Sequence, residues 1–195
     1  MRTGPFPAHP AAMNHTTLLH HLIAASAQRN PDAPAVTFSG ATQSYAELDA
    51  AIGRFAAGLL ALGLERGERV AIYLDKRPET VTAFFGTSAA GGVFVPVNPI
   101  LKAEQVGYIL QDCNVRVLVT SPERFATLCD TLAGCHDLRH VVLTGKVDTL
   151  PDLPGASVVR WDELCAAPPA TGHRIIDTDM AAILYTSGST GRPKG

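Results

Sequence analysis

From Asn14 onward the chain alternates stretches whose apolar residues recur every three or four positions with short runs rich in β-branched residues. The first pattern fits an amphipathic helix and the second a strand. Their alternation is the order of an α/β domain whose successive βα units form a mostly parallel sheet.

The clearest helix begins at Ser44, where Ser44 and Glu47 have the S-x-x-E spacing of a capping box. Leu48, Ile52, Phe55, Leu59 and Leu62 then fall on one face, and Gly63 is placed to end the helix. A strand is predicted over Arg69 to Leu74. Pro78 suits the first turn of a second helix burying Val81, Phe84 and Phe85, which Gly91-Gly92 would close. Val93 to Val97 reads as a strand with Asn98-Pro99 as its turn, followed by a helix over Ala103 to Asp112 and a strand over Val115 to Thr120. Ser121-Pro122-Glu123 supplies a cap, a first-turn proline and a dipole-complementing acid for another helix. A strand near His140 to Leu143, a turn-rich Gly145 to Gly155, a short strand Ser157 to Arg160, a short helix Trp161 to Ala166 and a last strand Met180 to Tyr185 complete the reading. Residues 1–13, rich in Pro and Ala, read as a disordered tail, with Met13 an alternative start.

A chain of 195 residues that is 46% hydrophobic and 17% charged can bury a sizeable core. The net charge of -2, without long blocks of either sign, excludes recognition of nucleic acid by bulk charge. Cys113, Cys129, Cys135 and Cys165 contain no C-x-x-C pair and fit neither a zinc site nor a disulfide framework, so reduced, mostly packed thiols are expected. No stretch approaches the roughly 18 apolar residues of a membrane span, so a cytoplasmic protein without an integral membrane segment is expected.

The chemistry lies at the end of the chain, Tyr185-Thr186-Ser187-Gly188-Ser189-Thr190-Gly191-Arg192-Pro193-Lys194-Gly195, directly after the last expected strand. Its glycines let backbone amides turn toward an anion, and the hydroxyls of Thr186, Ser187, Ser189 and Thr190 can donate to phosphate oxygens. Lys194 adds a mobile positive charge. A phosphate-cradling loop at the carboxyl end of a sheet strand sits where open α/β sheets bind ligands. A solvated Gly/Ser/Thr linker is the competing reading. A Walker loop is excluded at its defining point, because Arg192-Pro193 follows Gly191 and no Ser or Thr follows Lys194.

Tyr185 to Gly195 resembles the phosphate-loop signature of the adenylate-forming superfamily, Tyr/Phe-Thr-Ser-Gly-Ser/Thr-Thr-Gly-x-Pro-Lys-Gly, at each position. Ser44 to Leu48 is similar to that family's early S/T-Y-x-E-L motif, and Gly91 to Pro99 to its A-G-x-x-x-x-P-x-N/D-P segment. The resemblance covers residues 14–195 and implies the N-terminal part of the large domain of an adenylate-forming ligase, truncated at the phosphate loop. It implies two half-reactions: a carboxylate attacks the α-phosphate of ATP, assisted by Mg2+, to give acyl-AMP, and a thiol, usually of coenzyme A or a carrier protein, takes the acyl group. It further implies that Thr186, Ser187, Gly188, Ser189, Thr190 and Gly191 hold the β- and γ-phosphates and that Lys194 balances their charge. The two earlier motifs are expected to build the fold rather than touch substrate. The wording upstream of the loop looks more like bacterial acyl-CoA ligases than like luciferases and has some likeness to the acyl-CoA ligases associated with exosortase systems; the resemblance to acyl-CoA synthetases implies a place in fatty acid metabolism. An adenylation domain of a non-ribosomal peptide synthetase is the alternative, and a non-catalytic nucleotide- or partner-binding α/β module a further one. The adenine pocket and catalytic C-terminal lysine of the family would follow residue 195, so this chain alone is expected to be inactive.

Overall fold

The computed structural model describes residues 17–186 and 194–195, and the tail expected over residues 1–13 lies outside them. The described chain opens with α1 (His21–Arg29) and an antiparallel hairpin of β1 (Pro34–Phe38) and β2 (Ala41–Ser44). The hairpin's two-residue turn has both Ser39 (φ 49°) and Gly40 (φ 81°) in the left-handed region, the arrangement that matches strand twist.

α2 (Tyr45–Ala61) starts and stops on the predicted residues. Ser44 Oγ accepts from the Glu47 N–H at 3.3 Å, and Glu47 Oε2 accepts from the Ser44 N–H at 2.7 Å. At the other end Gly63 takes φ 82°, so that the Leu64 N–H reaches the Leu59 carbonyl at 3.0 Å and the Gly63 N–H the Leu60 carbonyl at 2.9 Å. Leu48, Ile52, Phe55 and Leu59 are buried as their spacing predicts, whereas Leu62 is only half-buried.

The main sheet contains β3 (Arg69–Tyr73), β4 (Val93–Pro96), β5 (Val115–Thr120), β6 (His140–Leu143) and β7 (Ser157–Arg160), all parallel, in the order β4-β3-β5-β6-β7. The chain moves outward from β3 to β4, returns to the far side of β3 for β5, and continues outward, which makes the sheet doubly wound. α4 (Ala103–Asp112) and α5 (Pro122–Leu132) cover one face through Val106, Ile109, Leu110, Phe125 and Leu128. α2, α3 (Pro78–Ala89) and α6 (Trp161–Cys165) cover the other through Phe55, Leu59, Ala83 and Leu164. An extra residue in β5, Arg116, bulges where Arg69 pairs Val115 but Val70 pairs Val117, which turns Val115 and Val117 to opposite faces.

α3 departs from expectation. Val81, Phe84 and Phe85 are only half-buried, and the buried face is Thr82, Ala83, Gly86, Thr87 and Ser88. Close helix approach explains this, since a Cβ at Gly86 would lie 2.7 Å from Phe55 Cδ1 and 3.2 Å from the Ile52 carbonyl oxygen. Phe84 instead stacks on Phe94 at 5.0 Å between ring centroids. Gly91 (φ 80°) and Gly92 close α3 as predicted, the Gly92 N–H reaching the Thr87 carbonyl at 2.9 Å.

A similar approach fixes Gly58, where an added Cβ would stand 2.4 Å from the Leu164 carbonyl oxygen and 2.5 Å from Leu164 Cγ. Helix propensity alone favours Gly58→Ala by about 1 kcal/mol. Because backbone atoms of α6 must move to admit the methyl, the substitution is expected to lower the thermal midpoint. A midpoint raised by the full propensity gain would show that α6 is not seated on α2.

All four cysteines are free thiols, with Cys113 and Cys135 buried, Cys165 half-buried and Cys129 exposed. Burial pushes the Cys165 pKa up to about 11 and also raises Cys113 and Cys135. At pH 8 these thiols stay protonated, so iodoacetamide is expected to label Cys129 first, as read by mass spectrometry. Equal labelling rates at Cys129 and Cys165 would contradict the packing of α6.

Candidate functional site

The segment that carries the loop is tied down before it reaches the sheet. The His173 ring Nε2 lies 2.8 Å from the Leu64 carbonyl oxygen, and Gly91 admits the His173 Cβ at 3.2 Å from where a Cβ of its own would stand. Arg66 grips the Asp179 carboxylate with two bonds of 2.5 and 3.0 Å, which holds that carboxyl below the usual range.

The run Met180 to Tyr185 then lies beside β4, but it forms a single parallel bridge, Phe94 to Ala182, rather than the predicted strand. The Phe94 N–H reaches the Ala181 carbonyl at 3.0 Å, and the Ile183 N–H reaches the Phe94 carbonyl at 3.1 Å. The ladder stops on both sides for local reasons. Pro96 has no N–H for the next rung, and the Gly92 N–H is spent on the Thr87 carbonyl. The run still leaves the sheet at its carboxyl edge, as predicted for the loop, because it is parallel to β4.

Of the predicted site residues, Thr186 and Lys194 are described, and Ser187, Gly188, Ser189, Thr190 and Gly191 lie outside the described residues. Thr186 and Lys194 face each other as an antiparallel pair. The Thr186 N–H donates to the Lys194 carbonyl at 2.9 Å, the Lys194 N–H donates to the Thr186 carbonyl at 3.0 Å, and Thr186 Oγ1 lies 3.4 Å from the Lys194 carbonyl oxygen. Thr186 and Lys194 are thereby brought together where the run from Met180 to Tyr185 leaves the sheet. Lys194 is exposed and makes no ion pair among the described residues, so its charge is available to an anion.

Two residues that the sequence reading passed over support this stem. Asp112, the last residue of α4, accepts a hydrogen bond from the Tyr185 hydroxyl, and the Cys113 thiol donates to the same oxygen at 3.1 Å. No local pattern points to them, because they lie more than 70 residues from Tyr185 in the chain.

The earlier motifs build the fold, as expected: Ser44 to Leu48 starts α2, and Gly91 to Pro99 ends α3 and forms β4 and its turn. Among the described residues no helix is long and apolar enough to cross a membrane.

The family model of AMP-binding enzymes matches residues 23–195. Surfactin synthase subunit 3 of Bacillus subtilis is 34% identical over 186 residues, 95% of this chain but 13% of that protein. Feruloyl-CoA synthase of an Amycolatopsis species is 36% identical over 169 residues, 87% of this chain and 30% of that protein. The crystal structure of the anthranilate CoA ligase AuaEII in complex with anthranoyl-AMP superposes with a TM-score of 0.76 at 25% identity, over 90% of this chain and 33% of that one. The chain thus spans a third or less of the length of these proteins.

Proposed function

The chain belongs to the family of AMP-binding enzymes, the adenylate-forming ligases, and we propose that it supplies the triphosphate-holding part of an AMP-forming acid:CoA ligase. The observation that carries this reading is the pairing of Thr186 with Lys194 at the carboxyl edge of the parallel sheet. It sets a free lysine charge at the mouth of a loop rich in hydroxyls and glycines.

In the first half-reaction the substrate carboxylate attacks the α-phosphorus of ATP and pyrophosphate leaves, giving acyl-AMP. The hydroxyls of Thr186, Ser187, Ser189 and Thr190 and the amides of Gly188 and Gly191 hold the β- and γ-phosphates in this reading. These are the groups that depart with the negative charge, so donors fixed there and the Lys194 ammonium stabilise the leaving group as it forms. In the second half-reaction the thiol of coenzyme A attacks the acyl carbon and AMP leaves. Mg2+ held by the nucleotide's phosphates would neutralise part of their charge alongside Lys194. A cytoplasmic location and a carboxylic-acid substrate, with fatty acids as one class, belong to the same proposal.

A second reading, an adenylation domain that passes its acyl group to a carrier-protein thiol, is favoured by the 34% identity to surfactin synthase subunit 3. The test is acid-dependent ATP–pyrophosphate exchange by the protein that carries this segment with the rest of its reading frame, against fatty, aromatic and amino acids, followed by addition of coenzyme A. Exchange with an acid and release of its CoA thioester establish the first reading. Exchange with an amino acid and no thioester moves the assignment to the second, and no exchange with any acid removes both.

A further inference from the structure

Tyr185 occupies a place that phosphate binding does not require. Its hydroxyl reaches the C-terminal end of α4, donating to the Asp112 carboxylate and accepting from the Cys113 thiol at 3.1 Å. Its ring is backed by the other strand of the stem, since a Cβ on Gly195 would stand 2.7 Å from Tyr185 Cε2, 2.8 Å from its Cζ and 3.1 Å from Ile183 Cγ2. One side chain therefore touches the entering strand, the leaving strand and a helix. That helix is itself fixed to the sheet by the buried Val106, Ile109 and Leu110. Met180 and Leu184, on either side in the same run, are exposed, and the run has only the Phe94 bridge to hold it in the sheet.

We infer that Tyr185 is a positioning residue, a pin that fixes where the Thr186–Lys194 pair stands at the sheet edge by tying both sides of the stem to Asp112 and Cys113 of α4. Burial first, and then the neighbouring Asp112 carboxylate, push the phenol pKa up, so the O–H stays available as a donor at neutral and moderately alkaline pH. Gly195 follows from the same geometry: a side chain there would strike the ring and force the two strands apart.

The consequence for ligand binding rests on the proposed phosphate-holding role of the loop; the pin itself does not. The experiment measures amide hydrogen exchange at Thr186 and Lys194 in this chain, together with binding of inorganic tripolyphosphate, for the wild type, Tyr185→Phe and Asp112→Ala. Loss of a hydrogen bond to a carboxylate is expected to speed exchange at both amides by about tenfold or more, while Ile72 and Val119 in the sheet stay unchanged. Tripolyphosphate affinity is expected to fall in parallel. A purely structural contribution would speed sheet and stem amides together and overturns the inference, as does unchanged exchange at Thr186 and Lys194, or a stem that loosens with undiminished affinity. If the wild type does not bind tripolyphosphate, the phosphate-holding role fails, and the exchange rates alone decide the pin. Asp112→Ala breaks the same bond from the helix side, so the test does not depend on one variant folding.

Discussion

Lys194→Ala is expected to lower acid-dependent ATP–pyrophosphate exchange by about a hundredfold, the loss typical of removing one donor aimed at a developing anion. The expectation follows from how the residue is held. Both its backbone groups are bonded to Thr186, at 2.9 and 3.0 Å, so the side chain departs from a fixed point at the loop's mouth. No carboxylate pairs with it among the described residues, so its charge is not spent on the protein. The assay is run on the protein that carries this segment with the rest of its reading frame. Tripolyphosphate binding by the 195-residue chain gives a second readout, with the variant binding more weakly and with a shallower dependence on salt. Lys194→Arg keeps the charge but spreads it over a planar fork, and partial recovery is expected. An undiminished exchange rate in Lys194→Ala would remove Lys194 from the reaction and leave the hydroxyls and amides to carry it.

Phe55→Ala is expected to cost about 3–5 kcal/mol, a large share of the roughly 5–15 kcal/mol that holds a domain together. Phe55 is fully buried and joins three helices. Its ring stacks on Trp161 of α6 with centroids 4.7 Å apart, and it fills the space left by the missing side chain of Gly86 in α3. Alanine leaves a cavity that α3 cannot close, because that helix already touches the α2 backbone at the Ile52 carbonyl. Urea denaturation checks this through a lowered midpoint with an unchanged slope. A loss under about 1 kcal/mol would mean that the three helices repack freely.

These two sites also differ in how far they can be read from the sequence. The boundaries of α2 and α3 and the start of α5 were legible because each rests on a signal a few residues long: Ser44 with Glu47 and Gly63, Pro78 with Gly91-Gly92, and Ser121-Pro122. The buried face of α3 was not, because large apolar residues there yield to the close approach of α2, a property of two helices rather than one. The β1–β2 hairpin was missed although Ser39-Gly40 is a two-residue turn signal, since neither strand carries a strong alternation of buried and exposed positions. At the site, the chemistry of the sequence singles out Thr186 and Lys194, which the structure pairs, whereas Ser187, Gly188, Ser189, Thr190 and Gly191 lie outside the described residues. Asp112 and Cys113 were not, because their part depends on a contact spanning more than 70 residues.

The bridge at Phe94 has a further consequence. With Pro96 and Gly92 unable to extend it, the run from Met180 to Tyr185 shares few backbone bonds with the sheet and is linked to the core through Tyr185 on the α4 face, away from Phe55 on the other. The double variant of Phe55 and Lys194 should therefore show additive losses in stability and in phosphate affinity. The face of the sheet packed by α2, α3 and α6 can thus be rebuilt without moving Tyr185 and its partners on α4, which lie on the other face.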